Sequence, residues 1–414
     1  MYNDRLTQMG KLRYGVSYWA DRQPRRRPTY PRHRGQLDVD VAVVGGGLAG
    51  CATAYALSTA GLRVGLFEAA RIGDGAVGAS TALVMQEPDV DFQETLDAHG
   101  LRAARAIWKL TRRAAQDFAS TMRRLKIPCQ LDAQDSIYFA EDPEAAKRLR
   151  GEWQARRKAG LEARWLKSDA LWREARVRAE CAIRVAGNAQ VDPVRACAGL
   201  AAAAVKRGAS VYERSSVERI RPSRRSVELR TAGGGVTADQ VVVATGHPGA
   251  LFRPLGRHFR TLETYAVATP TLGARIRAEL GRRQAMLWDA AQPYRYLRWT
   301  RDDRILFGGG DQTPPHPRSR EKALVQRTGQ LMYELSVLYP SISGIQPEYA
   351  WAGHVAAAAD GLPYIGPHRN YPRHSFALGF GGSGLAQGFL ASRILARHCL
   401  GEPAKGDELF GFTR

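Results

Sequence analysis

At 414 residues, with 44% hydrophobic and 24% charged residues, the chain is long enough for two domains with cores of their own and has the balance of a globular protein. A formal net charge of +21 raises nucleic acid as a partner, but the 61 positive residues, only nine of them lysine, are scattered and form no basic stripe, so none is expected. No apolar run reaches the roughly 18 residues of a membrane span and no apolar segment follows the first residues, so neither a span nor a secretory signal is expected and the cytoplasm is the default.

Residues 1–37 are arginine-rich and proline-punctuated and read as a basic arm. The cluster Tyr14, Tyr18 and Trp19 argues that part of it docks on the body of the protein. Arg25-Arg26-Arg27 is not an export signal, because Pro28, Thr29 and Tyr30 follow instead of an apolar stretch. The organising stretch is Val39 to Glu68. A valine-rich strand, Val39 to Val44, leads into Gly45-Gly46-Gly47-Leu48-Ala49-Gly50; Cys51 to Ala60 reads as a small-residue helix, and Gly61 closes it. Leu62 to Phe67 is a second buried strand that ends at Glu68. Strand, glycine turn, helix, strand and terminal acid form a dinucleotide-binding unit. Gly45 permits the turn, Gly47 lets the backbone approach a pyrophosphate, and Gly50 lets helix and strand pack closely.

The glycine- and hydroxyl-rich loop Arg71 to Ala82 suits a further dinucleotide contact or a plain flexible connection. Phe92 to Lys126 is helical with an apolar stripe from Ile107 to Leu125, ended by Pro128. Ser136 to Ala140 reads as a strand, and Pro143 to Gly160 and Ser168 to Glu180 as surface helices. Asp192 and Pro193 open a helix that stops at Gly208. Val211 to Ile220 and Val227 to Thr231 are expected strands, with a turn at Gly233-Gly234-Gly235 and a buried strand Gln240 to His247. Thr264 to Thr269, Tyr294 to Trp299 and Arg304 to Asp311 follow, the last two as a hairpin about Asp302-Asp303. The remainder reads as a helix from Arg320 to Leu338, strands at Trp351 to Gly366 and Phe376 to Gly384, and a helix from Leu385 to Leu400. Five cysteines, 51, 129, 181, 197 and 399, lie far apart with no metal spacing, so neither disulfides nor a metal site is expected.

From about Ser17 to Leu400 the chain resembles the FAD-dependent oxidoreductases of the D-amino-acid oxidase family, which includes glycine, sarcosine and gamma-glutamylputrescine oxidases. The resemblance rests on six elements in order. These are the Gly45 to Glu68 unit, Gly78-Ala79-Ser80, Ala244-Thr245-Gly246, the Tyr296-Leu297-Arg298 to Gly308-Gly309 hairpin, Trp351-Ala352-Gly353 with Asp360 to Gly366, and Gly379 to Gly384. It implies an α/β architecture: a Rossmann-like FAD-binding domain from residues 38–90, 185–262 and 350–414, and a discontinuous mixed β-sheet substrate domain from 91–184 and 263–349. It implies FAD as cofactor. Gly45, Gly47 and Gly50 would cradle its pyrophosphate with Leu48 and Ala49, and Glu68 would hold the adenosine ribose beside Ala69. Ser80 and Thr81 would contact phosphate or ribitol, the Val217 backbone would meet adenine, Gly246 would join the same set, and the Gly382-Ser383-Gly384 turn would bring a helix N-terminus to the flavin N1/O2 edge.

The implied reaction oxidises a C–N bond to an imine by hydride transfer to flavin N5, with oxygen or another acceptor taking the electrons. Amino-acid-oxidising relatives clamp the substrate carboxylate with the arginine of Trp-x-Gly-x-Arg-Pro. Here the segment reads Trp351-Ala352-Gly353-His354-Val355-Ala356, which favours an amine, as in the gamma-glutamylputrescine oxidase branch. The alternatives are an amino-acid oxidase or dehydrogenase using Arg295 or Arg298 and, more remotely, a non-catalytic nucleic-acid-binding protein. Candidate catalytic residues are His354, in place of the clamp, Tyr296 and Tyr265, in an expected substrate wall with Trp288, Tyr294 and Trp351. No lysine lies between Lys206 and Lys322 to promote reaction with oxygen, and Ser383 stands where amine-oxidising relatives often carry histidine.

Overall fold

The computed structural model describes residues 12–24, 27–280, 285–291 and 293–414. The first residues of the basic arm, together with Arg25 and Arg26 of its arginine triplet, lie outside them. The described residues divide into two compact units, those of 23–132, 189–261 and 355–414 in one and those of 12–22, 133–188 and 262–354 in the other.

The first unit is built on the strand Gly35–Val44, which pairs in parallel with Val64–Phe67 on one side and Gly234–Gly246 on the other. Ser210–Tyr212 extends the sheet beyond Val64–Phe67. Tyr371–Leu378 extends it beyond Gly234–Gly246 and carries Tyr364–His368 antiparallel at the edge. A hairpin, Val217–Pro222 with Val227–Thr231, runs antiparallel to the start of Gly234–Gly246. Valines 39, 41, 43, 241 and 243 are buried, as strands covered on both faces require. The helix Leu48–Thr59 follows the glycine turn, and Pro193–Val205 opens as its sequence dictates: the Asp192 carboxylate accepts the Arg195 N–H at 2.9 Å and Pro193 takes the first helical position.

Residues 91–132, expected with the substrate segments, cluster in this nucleotide unit, where the Phe118 ring meets Phe389 edge-on at 5.6 Å. Their helix, Phe92–Arg124, is broken at Gly100, whose φ of 75° and ψ of 163° no helix accommodates. The single strand expected over Val211 to Ile220 is two strands. Buried Glu213 turns in to accept the N–H of Ile72 at 2.9 Å, and Arg214 adopts φ 50°, which ends Ser210–Tyr212 before Val217–Pro222 begins. The run expected from Trp351 to Gly366 is likewise two strands, Tyr349–Ala358 and Tyr364–His368, parted by a turn at Gly361 with φ 66°. The glycine triplet contributes only Gly233 to its turn. Gly234 and Gly235 lie in the strand, where a Cβ on Gly234 would sit 1.8 Å from the Gly35 carbonyl.

The second unit carries a mixed sheet in the order Arg13–Tyr14, Tyr349–Ala358, Phe259–Ala268, Ile305–Gln312, Arg295–Trp299, Ala285–Asp289, Asp132–Ala140, Cys181–Gln190. Ala285–Asp289, Cys181–Gln190 and the short Arg164–Lys167 were not expected, and the helix expected over Ser168 to Glu180 stops at Ala175, capped by Arg176 at φ 54°. The expected hairpin about Asp302-Asp303 forms, with Trp299 opposite Ile305. One face of this sheet packs Ile137, Leu287, Leu297, Phe307 and Val267 with Leu331 and Leu335 of the helix Arg320–Leu338.

The arm docks on this unit. Arg13–Tyr14 pairs in parallel with Tyr349–Ala350, Ser17 caps the short helix Tyr18–Asp21, and Trp19 is 1% exposed beneath the Arg298 guanidinium. The Tyr18 hydroxyl donates to Asp302 at 2.7 Å. Burial raises the Asp302 carboxyl, but hydrogen bonds from Thr300, Tyr18 and Arg304 outweigh it and hold the group below its ordinary value. A depressed folded value stabilises the folded state above the unfolded carboxylate value of about 4, and that contribution is lost as pH falls through the folded value. The gap in Tm between the wild type and Asp302→Asn, worth about 1 kcal/mol at neutral pH for this partly exposed group, is therefore expected to close as pH falls from 5 towards 3. A gap constant across that range counts against this role for Asp302.

Candidate active site

The nucleotide unit assembles its cradle from the glycine turn outward. Gly45, with φ 107°, brings the turn so close to the neighbouring strand that a Cβ would lie 2.7 Å from the Ala244 carbonyl. At Gly50 a Cβ would lie 1.8 Å from the Gly45 carbonyl, whereas at Gly47 it would meet nothing nearer than Val77 at 3.8 Å. Two glycines are thus demanded by packing and the third leaves open space beside the start of the Leu48–Thr59 helix, which no side chain caps. Leu48 and Ala49 form the first turn of that helix. Open space before an uncapped helix N-terminus fits a pyrophosphate.

The Glu68 carboxylate accepts the Gly46 N–H at 2.6 Å and the Ala70 N–H at 2.7 Å, which still leaves lone pairs for ribose hydroxyls. Burial raises its pKa, and the two backbone bonds oppose that shift. Ala69 is exposed between Glu68 and Ala70. Ser215 donates to the Glu68 carbonyl at 2.8 Å and Arg214 to that of Ala70 at 2.9 Å, so the segment leading into buried Val217 runs alongside the acid. The loop to Ala82 is tied to the turn by the Gly73 N–H, 2.9 Å from the Gly46 carbonyl. It contains a short helix, Ala76–Ala79, and Ser80 follows, accepting the Ala82 N–H at 2.9 Å, with Thr81 next and half-buried. Gly246, with φ 70°, ends its strand and accepts the Gly379 N–H at 2.8 Å. The Gly382 N–H donates to Asp89 at 2.7 Å, and Ser383 precedes the helix Gly384–Leu400 without capping it through its side chain. A Cβ on Gly388 of that helix would lie 3.6 Å from the Ala49 nitrogen, so two helix N-terminal segments converge within this unit. Glu68→Ala removes the acceptor for two N–H groups and the lone pairs that a ribose would use. A rise of about tenfold in the Kd for FAD is expected, followed by flavin fluorescence on dilution; unchanged affinity would remove Glu68 from the cradle.

In the substrate unit the expected wall divides between the two faces of the sheet. Tyr138 lies directly across from Trp288, Trp288 from Tyr296, Tyr296 from Gly308 and Gly308 from Ala266, so these share one face. Tyr138 and Trp288 stack at 3.8 Å, and Tyr294 meets Trp288 edge-on at 5.5 Å. Tyr265 belongs to the opposite, helix-covered face, where its hydroxyl donates to buried Glu263 at 2.6 Å; burial first and then this bond push its pKa up to about 12. His354 pairs through Nε2 with the same Glu263 at 2.9 Å. Side chains alternate along Tyr349–Ala358, and Ala350 and Ala352 belong to the helix-covered core, so His354 shares their side while Trp351, Gly353 and Val355 take the other. His354 therefore does not stand in for the arginine clamp. In Trp-x-Gly-x-Arg-Pro the arginine position is held by Val355.

Three acids escape the motif-based reading. Glu263 organises Tyr265 and His354, Asp89 holds the Gly382 turn, and Asp311 is the penultimate residue of the glycine-rich strand Ile305–Gln312. Only the last had a signal, since consecutive glycines inside a strand mark a bulge. Arg295, the alternative anchor, is engaged by Asp289 and by Glu141 at 2.7 Å, and Arg298 is buried over Trp19. All five cysteines are buried and none forms a disulfide, and among the described residues no cluster has the makings of a metal site. No described helix is long and apolar enough to cross a membrane.

Comparison with known proteins agrees with this geometry. The chain is 26% identical over 377 residues to gamma-glutamylputrescine oxidoreductase of Escherichia coli (strain K12), covering 90% of this chain and 86% of that relative. It is 28% identical over 333 residues to glycine oxidase of Geobacillus kaustophilus (strain HTA426), covering 80% and 84%. Its fold matches the crystal structure of glycine oxidase from Geobacillus kaustophilus with a TM-score of 0.75 at 24% identity, over 91% of this chain and 99% of that one. A family model described as FAD dependent oxidoreductase (DAO) matches residues 40–398. Two units, a cradle shaped for a pyrophosphate and a match along most of its length together place this chain in the DAO family of FAD-dependent oxidoreductases, enzymes acting on the C–N bond of amines and amino acids.

Proposed function

We propose that the protein oxidises an amine lacking an α-carboxylate, in the manner of a gamma-glutamylputrescine oxidase. The observation that carries this is the engagement of the arginines: Arg295 is bound by two carboxylates, Arg298 is buried over Trp19, and the clamp position is Val355. A substrate carboxylate placed on the aromatic face of Tyr296 and Trp288 would find neither of these arginines free and none at the clamp position to give the bidentate pair on which such groups rely. An amine needs no such partner, and aromatic faces suit it.

FAD, when bound, accepts a hydride equivalent from the carbon bearing nitrogen. The chain's own part is to hold the nucleotide through Gly45, Gly47, Gly50 and Glu68, and to position the amine against Tyr296 and its neighbours so that reaction begins from an oriented pair. The test is anaerobic bleaching of the purified flavoprotein by matched pairs, each an amine and its α-carboxylated analogue. Bleaching by the amines is expected; bleaching only by the carboxylated partners would overturn the reading.

A further inference from the structure

The strand Ile305–Gln312 contains one residue more than its partner between two registered pairs: Gly309 lies opposite Tyr265, while Gln312 lies opposite Glu263. The excess is taken up at Gly309 and Gly310, with φ of 140° and 68°. Without this bulge, Asp311 would fall in step with Ile305 and Phe307 on the helix-covered face. With it, Asp311 alternates with Gln312, whose side chain donates to the Tyr265 hydroxyl on the helix-covered face, and so turns to the other face, one step along the sheet from the Ala266–Gly308–Tyr296–Trp288 row.

There the Asp311 Oδ1 is buried and, among the described residues, accepts no hydrogen bond. A carboxylate oxygen shielded from water and left without a donor is costly unless a ligand supplies one. Two described cations of this unit are committed elsewhere: Arg327 is held by Gln312 and Gln330, and Arg295 by Asp289 and Glu141. Burial raises the Asp311 carboxyl, with the Thr264 hydroxyl opposing.

We propose that Asp311 receives the ammonium group of the substrate, making it the residue that selects cationic amines and repels substrates bearing a carboxylate at that position. The inference rests on the amine reading above, which names the substrate class but no residue that recognises it. The ammonium N–H supplies the donor that Oδ1 lacks, and the aromatic row beside it supplies ring faces for the attached carbon chain.

The test uses the whole FAD-loaded protein and tert-butylammonium, which has no hydrogen on the carbon bearing nitrogen and so binds without being oxidised. Its Kd is read from perturbation of the flavin spectrum and, independently, by calorimetry. Asp311→Asn, nearly isosteric and neutral, is expected to weaken binding by about 10- to 100-fold while Tm holds or rises, because no described cation pairs with the lost charge. Asp311→Glu is expected to recover part of the affinity. Equal binding by wild type and Asp311→Asn overturns the proposal, as does a fall of several degrees in Tm for Asp311→Asn, which would mark a structural acid. Failure of the wild type to be bleached by any amine, with bleaching by amino acids, sinks the amine reading itself, a result separable from the behaviour of the Asp311 variants.

Discussion

Gly50→Ala is expected to yield protein that neither retains FAD nor unfolds at the wild-type temperature, whereas Gly47→Ala is expected to fold normally and still lose the cofactor. The contrast follows from what each added methyl would meet. At Gly50 it would sit 1.8 Å from the Gly45 carbonyl, inside any permissible contact, so the helix must move off the strand it packs against. That movement takes the helix N-terminus with it and is expected to cost at least ~3 kcal/mol in stability. At Gly47 the methyl has room, 3.8 Å from Val77, but occupies the space through which a pyrophosphate would approach the first helical turn. Thermal melting and flavin absorbance of the two purified variants give the comparison. A Gly47→Ala protein with wild-type FAD affinity would mean that phosphate does not approach there.

The second large effect lies in the other unit. Arg304→Leu is expected to lower stability by about 3 kcal/mol, a fall in Tm of roughly 6–12 °C for a unit of this size. Arg304 is 4% exposed and donates to Glu348 at 2.6 Å, to Asp302 at 2.8 Å and to the Thr269 carbonyl at 2.9 Å. Leucine fills much of the volume but leaves Glu348 facing the protein without its cation, and it removes one of the bonds that hold Asp302 for the Tyr18 hydroxyl. The arm should loosen together with the sheet. Trypsin cleavage after Arg22 in native buffer reads the arm, and calorimetry reads the unit; a variant within 1 °C of wild type on both would show that these bonds contribute little.

What could be read in the residue order alone was the chemistry that is local. From Val39 to Glu68 strand, turn, helix and acid are neighbours in the chain, and the glycine roles assigned there match what a Cβ would meet at Gly45 and Gly50. The Asp192–Pro193 helix start and the Asp302-Asp303 hairpin were legible for the same reason. Features decided by distant partners were not. Ala285–Asp289 is a strand because Asp135–Phe139 lies alongside it, 150 residues earlier. The break at Glu213 depends on an N–H from Ile72. The spacing of Trp-x-Gly-x-Arg-Pro alone puts Val355, not His354, at the arginine position, while the side on which His354 stands follows from strand alternation together with a core contributed by other segments. Asp311 was hidden by a bulge, since an unbroken alternation would have sent its side chain into the apolar core.

The interleaving of the two units bears on how the protein is made. The strand Gly35–Val44 gains Val64–Phe67 as a neighbour almost at once but waits about 200 residues for Gly234–Gly246, and Arg13–Tyr14 pairs with a strand that begins 336 residues later. At about 5–20 residues per second on the ribosome, the arm remains without its partner for tens of seconds. Its aromatic side chains, Tyr18 and Trp19, are exposed throughout that interval, so the nascent chain presents a sticky basic and aromatic leader long before there is a sheet to receive it. Production of this protein is accordingly expected to depend on chaperones that bind emerging chains, and slowing elongation should lower its soluble yield more than that of a protein whose first strand pairs locally.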